Sequence, residues 1–196
     1  MDQRRVCVFC GASSGNSQRY VQAAQEVGAA LVSADLGLVF GAGGVGMMGA
    51  VSDAVLAAGG EAIGVIPQSL RDREYGRGDL SDLRIVSTMH ERKALMHELS
   101  AGFVVLPGGL GTFEEFFEVL TWAQLGLHRK PIVVLDIDGY YRPLIELLDH
   151  AESSGFMRAA DRALVSIVDS TAEVIDTLTR AWAASSAEAK VFEEQQ

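Results

Sequence analysis

Long apolar runs are missing from this 196-residue chain. Nothing in it reaches the ~18 residues that a membrane-spanning helix needs. Its start, Met1-Asp2-Gln3-Arg4-Arg5, runs straight into a strand-like segment without the apolar core of a signal peptide. The expectation is a soluble, cytoplasmic protein with no membrane partner. Basic charge is also short: 16 Lys and Arg face 26 Asp and Glu, a net charge of −10. A coat for DNA or RNA needs a basic face, and no dense basic run is present, so nucleic acid is not expected as a partner. A local basic pocket for one phosphate stays open.

Cysteine is limited to Cys7 and Cys10. Their C-x-x-C spacing lies in Val6-Cys7-Val8-Phe9-Cys10, a strand pattern that points the two thiols to opposite faces. A redox pair usually opens a helix instead, so these read as buried or near-loop thiols. His90 and His97 lack the i, i+4 spacing of H-E-x-x-H, which argues against zinc. No Gly-Lys-Ser/Thr follows a glycine loop, which excludes a P-loop.

What is present is hydrophobic content of 48%, enough for a large core, and 21 glycines gathered in loops. Strand-like and helix-like segments alternate. Strands are expected at 5–10, 37–40, 61–66, 83–87, 102–106, 131–135 and 164–168. Helices are expected at 17–34, 47–58, 89–100, 112–125, 140–153 and 171–184, and a polar surface loop, a candidate lid, at 68–82. Residues 1–184 read as one domain and 185–196 as a polar tail, frayed or an extended helix end. Continuous apolar strands alternating with helices predict an α/β fold: a Rossmann-like, doubly wound parallel sheet with helices on both faces. Ligands in such sheets bind beyond the carboxyl ends of the strands. Three glycine-rich loops leave strand ends there, at 11–15, 41–46 and 107–111.

The loop Pro107-Gly108-Gly109-Leu110-Gly111 leads into Thr112-Phe113-Glu114-Glu115. Unpaired amides at a helix start, with the positive end of its dipole, make an anion site. The same T-x-x-E is also a capping box, with Glu115 turned back to the amide of a Thr112 cap. Gly41 to Gly46 matches G-x-G-x-x-G, but the next strand ends Val65-Ile66-Pro67-Gln68 without the acid a dinucleotide site requires. Arg92 and Lys93 fall in the first turn of a helix, where the dipole disfavours cations. That placement hints at an anionic partner, either Glu115 or a ligand phosphate. Asp136 and Asp138 read as turn residues.

Pro-Gly-Gly-x-Gly-Thr-x-x-Glu at 107–115, Met-His-x-Arg-Lys at 89–93, Cys7 to Ser14, Gly43 to Gly49 and Thr121 to Gly126 resemble the Lonely Guy type cytokinin riboside 5′-monophosphate phosphoribohydrolases. Many relatives carry the label lysine decarboxylase, yet no pyridoxal-phosphate site is recognisable here. The resemblance implies hydrolysis of the N-glycosidic bond of a nucleoside 5′-monophosphate, giving a free base and ribose 5-phosphate. No cofactor and no metal are expected, and the resemblance implies a homodimer with sites near the interface. It carries Arg92 and Glu115 over as catalytic residues. Glu74, Lys93, Gly108, Gly109, Leu110, Gly111, Thr112, Phe113, Glu114 and Thr121 carry over as substrate contacts. The usual serine at position 12 is alanine here. A helix start beside Glu115 is expected to keep it ionised, as a base or charge stabiliser. The alternative is a non-catalytic nucleotide or molybdenum-cofactor carrier, which shares a glycine-rich phosphate loop and does not need both Arg92 and Glu115.

Overall fold

The computed structural model describes residues 3–71, 80 and 82–194. Most of the candidate lid, 72–79 and 81, and with it Glu74, lies outside the described residues.

The chain alternates as expected. β1 (Arg5–Phe9), β2 (Gly37–Phe40), β3 (Ala62–Pro67), β4 (Asp82–Val86), β5 (Gly102–Val105), β6 (Ile132–Leu135) and β7 (Val165–Val168) form one sheet. All the pairings are parallel, in the order β4-β3-β2-β1-β5-β6-β7. The helices are α1 (Gln18–Ser33), α2 (Gly46–Ala57), α3 (Gln68–Arg71), α4 (Met89–Leu99), α5 (Leu110–Gln124), α6 (Arg142–Ser153), α7 (Ala159–Arg162) and α8 (Thr171–Glu194). None of the described helices is long and apolar enough to cross a membrane.

The central strands β2, β3, β5 and β6 are buried along their whole length. Period-two alternation then divides their side chains between two cores. On one face Val6, Val8, Leu38, Phe40, Val104 and Val133 pack against residues of α1, α2 and α8. On the other Cys7, Phe9, Val39, Phe103, Val105 and Val134 pack against α4, α5 and α6. Cys10 belongs to the first core and Cys7 to the second, both as free buried thiols, so the pair splits across the sheet.

Successive strands step outward from β1 to β4, then return to the other side of β1 with β5. The direction of winding reverses between β1 and β5, which is where open α/β sheets form their ligand crevice. Register sets Phe9 level with Val105. The loops that follow both strands therefore diverge from the same point.

Two helix starts differ from expectation by two residues, and one of them is α6, which begins at Arg142 and not at residue 140. α5 begins at Leu110 with Gly109 as its N-cap, so Thr112 lies inside the first turn. The glycines do not end before the helix; they form its first turn. α8 continues to Glu194, so of the two expectations for the tail the extended helix end is the one observed.

Candidate active site

The three glycine-rich loops meet at the β1/β5 reversal. The Gly11 amide donates to the Pro107 carbonyl (3.0 Å), and the Gly11 carbonyl accepts from the amides of Met47 (3.1 Å) and Met48 (3.2 Å). A cavity of about 440 Å³ opens beside this junction. The 107–111 loop, the 11–15 loop, the start of α2, Arg92, Glu115 and Tyr140 form its wall.

Its charged centre comes from α4 and α5. Thr88 caps α4 by accepting from the Glu91 amide at 3.1 Å, which fixes where the helix starts and hence which way Arg92 points. Arg92 turns inward and is only 7% exposed. Its Nε donates to the Val65 carbonyl (3.1 Å) and its Nη2 to the Gly41 carbonyl (3.2 Å), so the ends of β3 and β2 grip the guanidinium. A Cβ on Gly41 would collide with Nη2. Glu115 Oε1 lies 3.9 Å from Nη2, an ion-pair distance without a close hydrogen bond. The first-turn cation thus faces the carboxylate.

Glu115 is itself 9% exposed. Burial pushes its carboxyl up from 4.5 to about 7, and Arg92 only partly opposes the shift. The expectation of a firmly ionised Glu115 is corrected here: desolvation outweighs the opposing charges of Arg92 and Lys93. The capping-box alternative is also corrected. Gly109, not Thr112, is the N-cap, and no side chain caps α5. The helix start is left open toward the cavity, as anion binding requires.

Gly108, Gly109, Gly111 and Thr112 line the same cavity as Arg92 and Glu115. A Cβ on Gly108 would strike the Thr112 hydroxyl and come within 2.8 Å of the Gly11 amide, so only glycine permits this approach of the loops. Leu110 is 86% exposed, and Phe113 packs with the second core; neither is in the cavity wall. Lys93 bridges to Glu114 and, at 2.9 Å, to Glu118, joining α4 to α5 outside that wall. Burial lowers the Lys93 affinity for its proton, but the two carboxylates raise it further, and the net shift is upward. Thr121 is exposed on α5, away from the wall.

Sequence reasoning missed Tyr20, Met47, Met48 and Tyr140 in the wall. Tyr140 falls in a turn built as expected, where Asp136 Oδ1 accepts from the Tyr141 amide at 2.7 Å and Asp138 adopts φ 53°. The one available signal was its place after a strand end, in the crevice region.

A family model described as "possible lysine decarboxylase" matches residues 48–178. The chain is 47% identical over 175 residues to the probable cytokinin riboside 5′-monophosphate phosphoribohydrolase LOGL2 of Oryza sativa subsp. japonica, covering 89% of this chain and 72% of that protein. It is 44% identical to the cytokinin riboside 5′-monophosphate phosphoribohydrolase LOG1 of Arabidopsis thaliana, covering 89% and 82%. Among solved structures, the molybdenum cofactor carrier protein of Chlamydomonas reinhardtii superposes with a TM-score of 0.69 at 20% identity, covering 92% of this chain and 99% of that one. That likeness is one of fold.

Proposed function

The chain belongs to the Lonely Guy family of cytokinin riboside 5′-monophosphate phosphoribohydrolases, and on that premise we propose how its cavity performs the reaction. The enzyme hydrolyses the N-glycosidic bond of a nucleoside 5′-monophosphate, here AMP or an N6-modified AMP. Water adds its oxygen to the anomeric carbon, the bond to the base nitrogen breaks, and one water proton ends on the departing base.

The 5′-phosphate sits against the uncapped start of α5, at Gly108 to Thr112. Glu115 lies three residues beyond Thr112, about 4.5 Å further along the helix, a reach suited to ribose. Bond breaking builds positive charge on the sugar, as in other glycoside hydrolyses. The Glu115 carboxylate stabilises that charge and takes a proton from water. A carboxyl that titrates near 7 can also release the proton to the base. Arg92, held by two backbone carbonyls, is a fixed cation that orients Glu115 and does not itself move a proton. Lys93, Glu114 and Phe113 then act behind the wall, holding α4 and α5 in place. Among the described residues no lysine lines the cavity, so a lysine Schiff base has no donor there.

The observation that carries this reading is the buried Glu115 facing Arg92 beside an open helix start. Incubation with AMP and with N6-isopentenyl AMP, followed by chromatography for free base, tests it. Release from either supports the reading; binding without release from both would favour a carrier and overturn it.

The homodimer belongs to the same proposal. Met89, Leu110, Phe117 and Leu125, on or just after α4 and α5, are 41%, 86%, 38% and 67% exposed. Leu110 and Phe117, seven residues apart, share one side of α5; such exposed apolar side chains suit a second copy, and light scattering should give twice the 20.9 kDa chain mass. The two free thiols fit a reducing, cytoplasmic setting.

A further inference from the structure

The carbonyls of the phosphate loop are taken up one after another. Leu106 O accepts from the Tyr141 hydroxyl at 2.7 Å. Pro107 O accepts from the Gly11 amide at 3.0 Å. Gly108 O accepts from the Tyr140 hydroxyl. Gly109 O accepts from the Phe113 amide at 3.0 Å. A loop that binds an anion must present N–H groups and turn its carbonyl oxygens elsewhere, because a carbonyl aimed at phosphate repels it. In most of a helix the next turn does this. Here the stretch before α5 has no such partner of its own, and two consecutive tyrosines from the β6–α6 connection supply the donors.

Tyr141 is fully buried and belongs to the core; burial raises its hydroxyl well above the usual range, so it stays a donor. Tyr140 is half-buried, lines the cavity, and rests edge-on against Tyr20 with ring centroids 5.8 Å apart. It also packs perpendicular to Tyr141 at 4.9 Å. The ring is therefore held from two sides, with its hydroxyl on the Gly108 carbonyl.

We propose that Tyr140 is a positioning residue for the phosphate: its hydroxyl turns the Gly108 carbonyl out of the anion site, and it thereby sets the preference for a nucleotide over the corresponding nucleoside. This rests on the phosphate lying at 108–112, as proposed above. Tyr140→Phe keeps the ring and its packing and removes only the donor.

The test is binding of ribose 5-phosphate and of adenosine to the wild type and to Tyr140→Phe by calorimetry, with thermal unfolding alongside. Weakening of ribose 5-phosphate by about tenfold, the scale of one lost hydrogen bond that leaves an acceptor exposed, is expected. Adenosine binding should hold, and the unfolding temperature should fall by no more than about 2–4 °C, the folding cost of the same hydrogen bond. With AMP as substrate, KM should rise by a similar factor and kcat change little. Equal weakening of both ligands, or no change in either, would overturn the proposal. Failure of the wild type to bind ribose 5-phosphate would instead overturn the phosphate site itself, and turnover is not needed for that distinction.

Discussion

The glycine-rich loop after β2, residues 41–46, and the one after β5, residues 107–111, look alike in sequence, and each opens a helix. They are used in opposite directions. The first offers a carbonyl: Gly41 O holds Arg92, while the first amides of α2, at Met47 and Met48, are spent on the Gly11 carbonyl. The second offers amides: its carbonyls are occupied by Tyr140, Tyr141, Gly11 and Phe113, and the start of α5 carries no side-chain cap. One loop braces a cation, and the other is the proposed seat for an anion. A glycine pattern states only that the backbone turns tightly and that something approaches closely. Which backbone group faces the ligand depends on what the neighbouring loops donate or accept.

The sharpest test of that division lies on the helix the second loop opens. Glu115→Gln should lower the rate of base release by about 10²–10⁴ and leave ribose 5-phosphate binding in place, measured by chromatography and calorimetry. Near-normal turnover would remove Glu115 from the mechanism while leaving the seat intact.

The pH dependence is next in size. Glu115 is raised in the folded protein from 4.5 to about 7, so the native state keeps a proton that the unfolded chain has lost between those values. Stability from this group is whole below about 4.5 and falls as pH rises through 7, a cost on the order of 3 kcal/mol. Glu115→Gln lacks that cost. Its stability relative to the wild type should increase between pH 5 and pH 8 in denaturant titrations, and a flat difference would contradict the buried carboxyl. Over the same window, kcat/KM of the wild type should rise as the carboxylate forms.

Glycine substitutions separate the two loops directly. Gly108→Ala places a methyl against Thr112 and the Gly11 amide. It should cost about 1–3 kcal/mol of stability and weaken ribose 5-phosphate. Gly41→Ala displaces the Arg92 guanidinium, so it should depress kcat while phosphate binding persists. Exchange of these two outcomes would invert the roles assigned to the loops. The smallest effect is expected at Gly111, where an added Cβ meets nothing within 4 Å. Gly111→Ala in the first turn of α5 should be neutral in unfolding, or slightly favourable given the better helix propensity of alanine.

Much of this was legible in the chain. Apolar runs such as Gly102 to Val105 and Ile132 to Leu135 identify buried parallel strands, and the glycine clusters after them mark the crevice. The start of α5 was misplaced by two residues because Thr112 and Glu115 imitate a capping box. Position within the chain cannot distinguish a threonine at the N-cap from one in the first turn. Tyr140 was read as the start of a helix. Its contact with Gly108 spans 32 residues and exists only because β6 lies beside β5.

The sequence by itself determined the doubly wound sheet, the loops that meet at its carboxyl edge, and the pairing of Arg92 with Glu115 as the residues to examine. These follow from local periodicity, from glycine, and from charge placed where a helix dipole disfavours it. Only the tertiary structure decided that burial raises the Glu115 carboxyl to about 7, that Lys93 turns away to Glu114 and Glu118, and that two tyrosine hydroxyls donate to the Leu106 and Gly108 carbonyls. Each of those depends on burial or on a partner distant in the chain. Desolvation and hydrogen-bond direction are properties of the assembled surroundings, and residue order alone does not contain them.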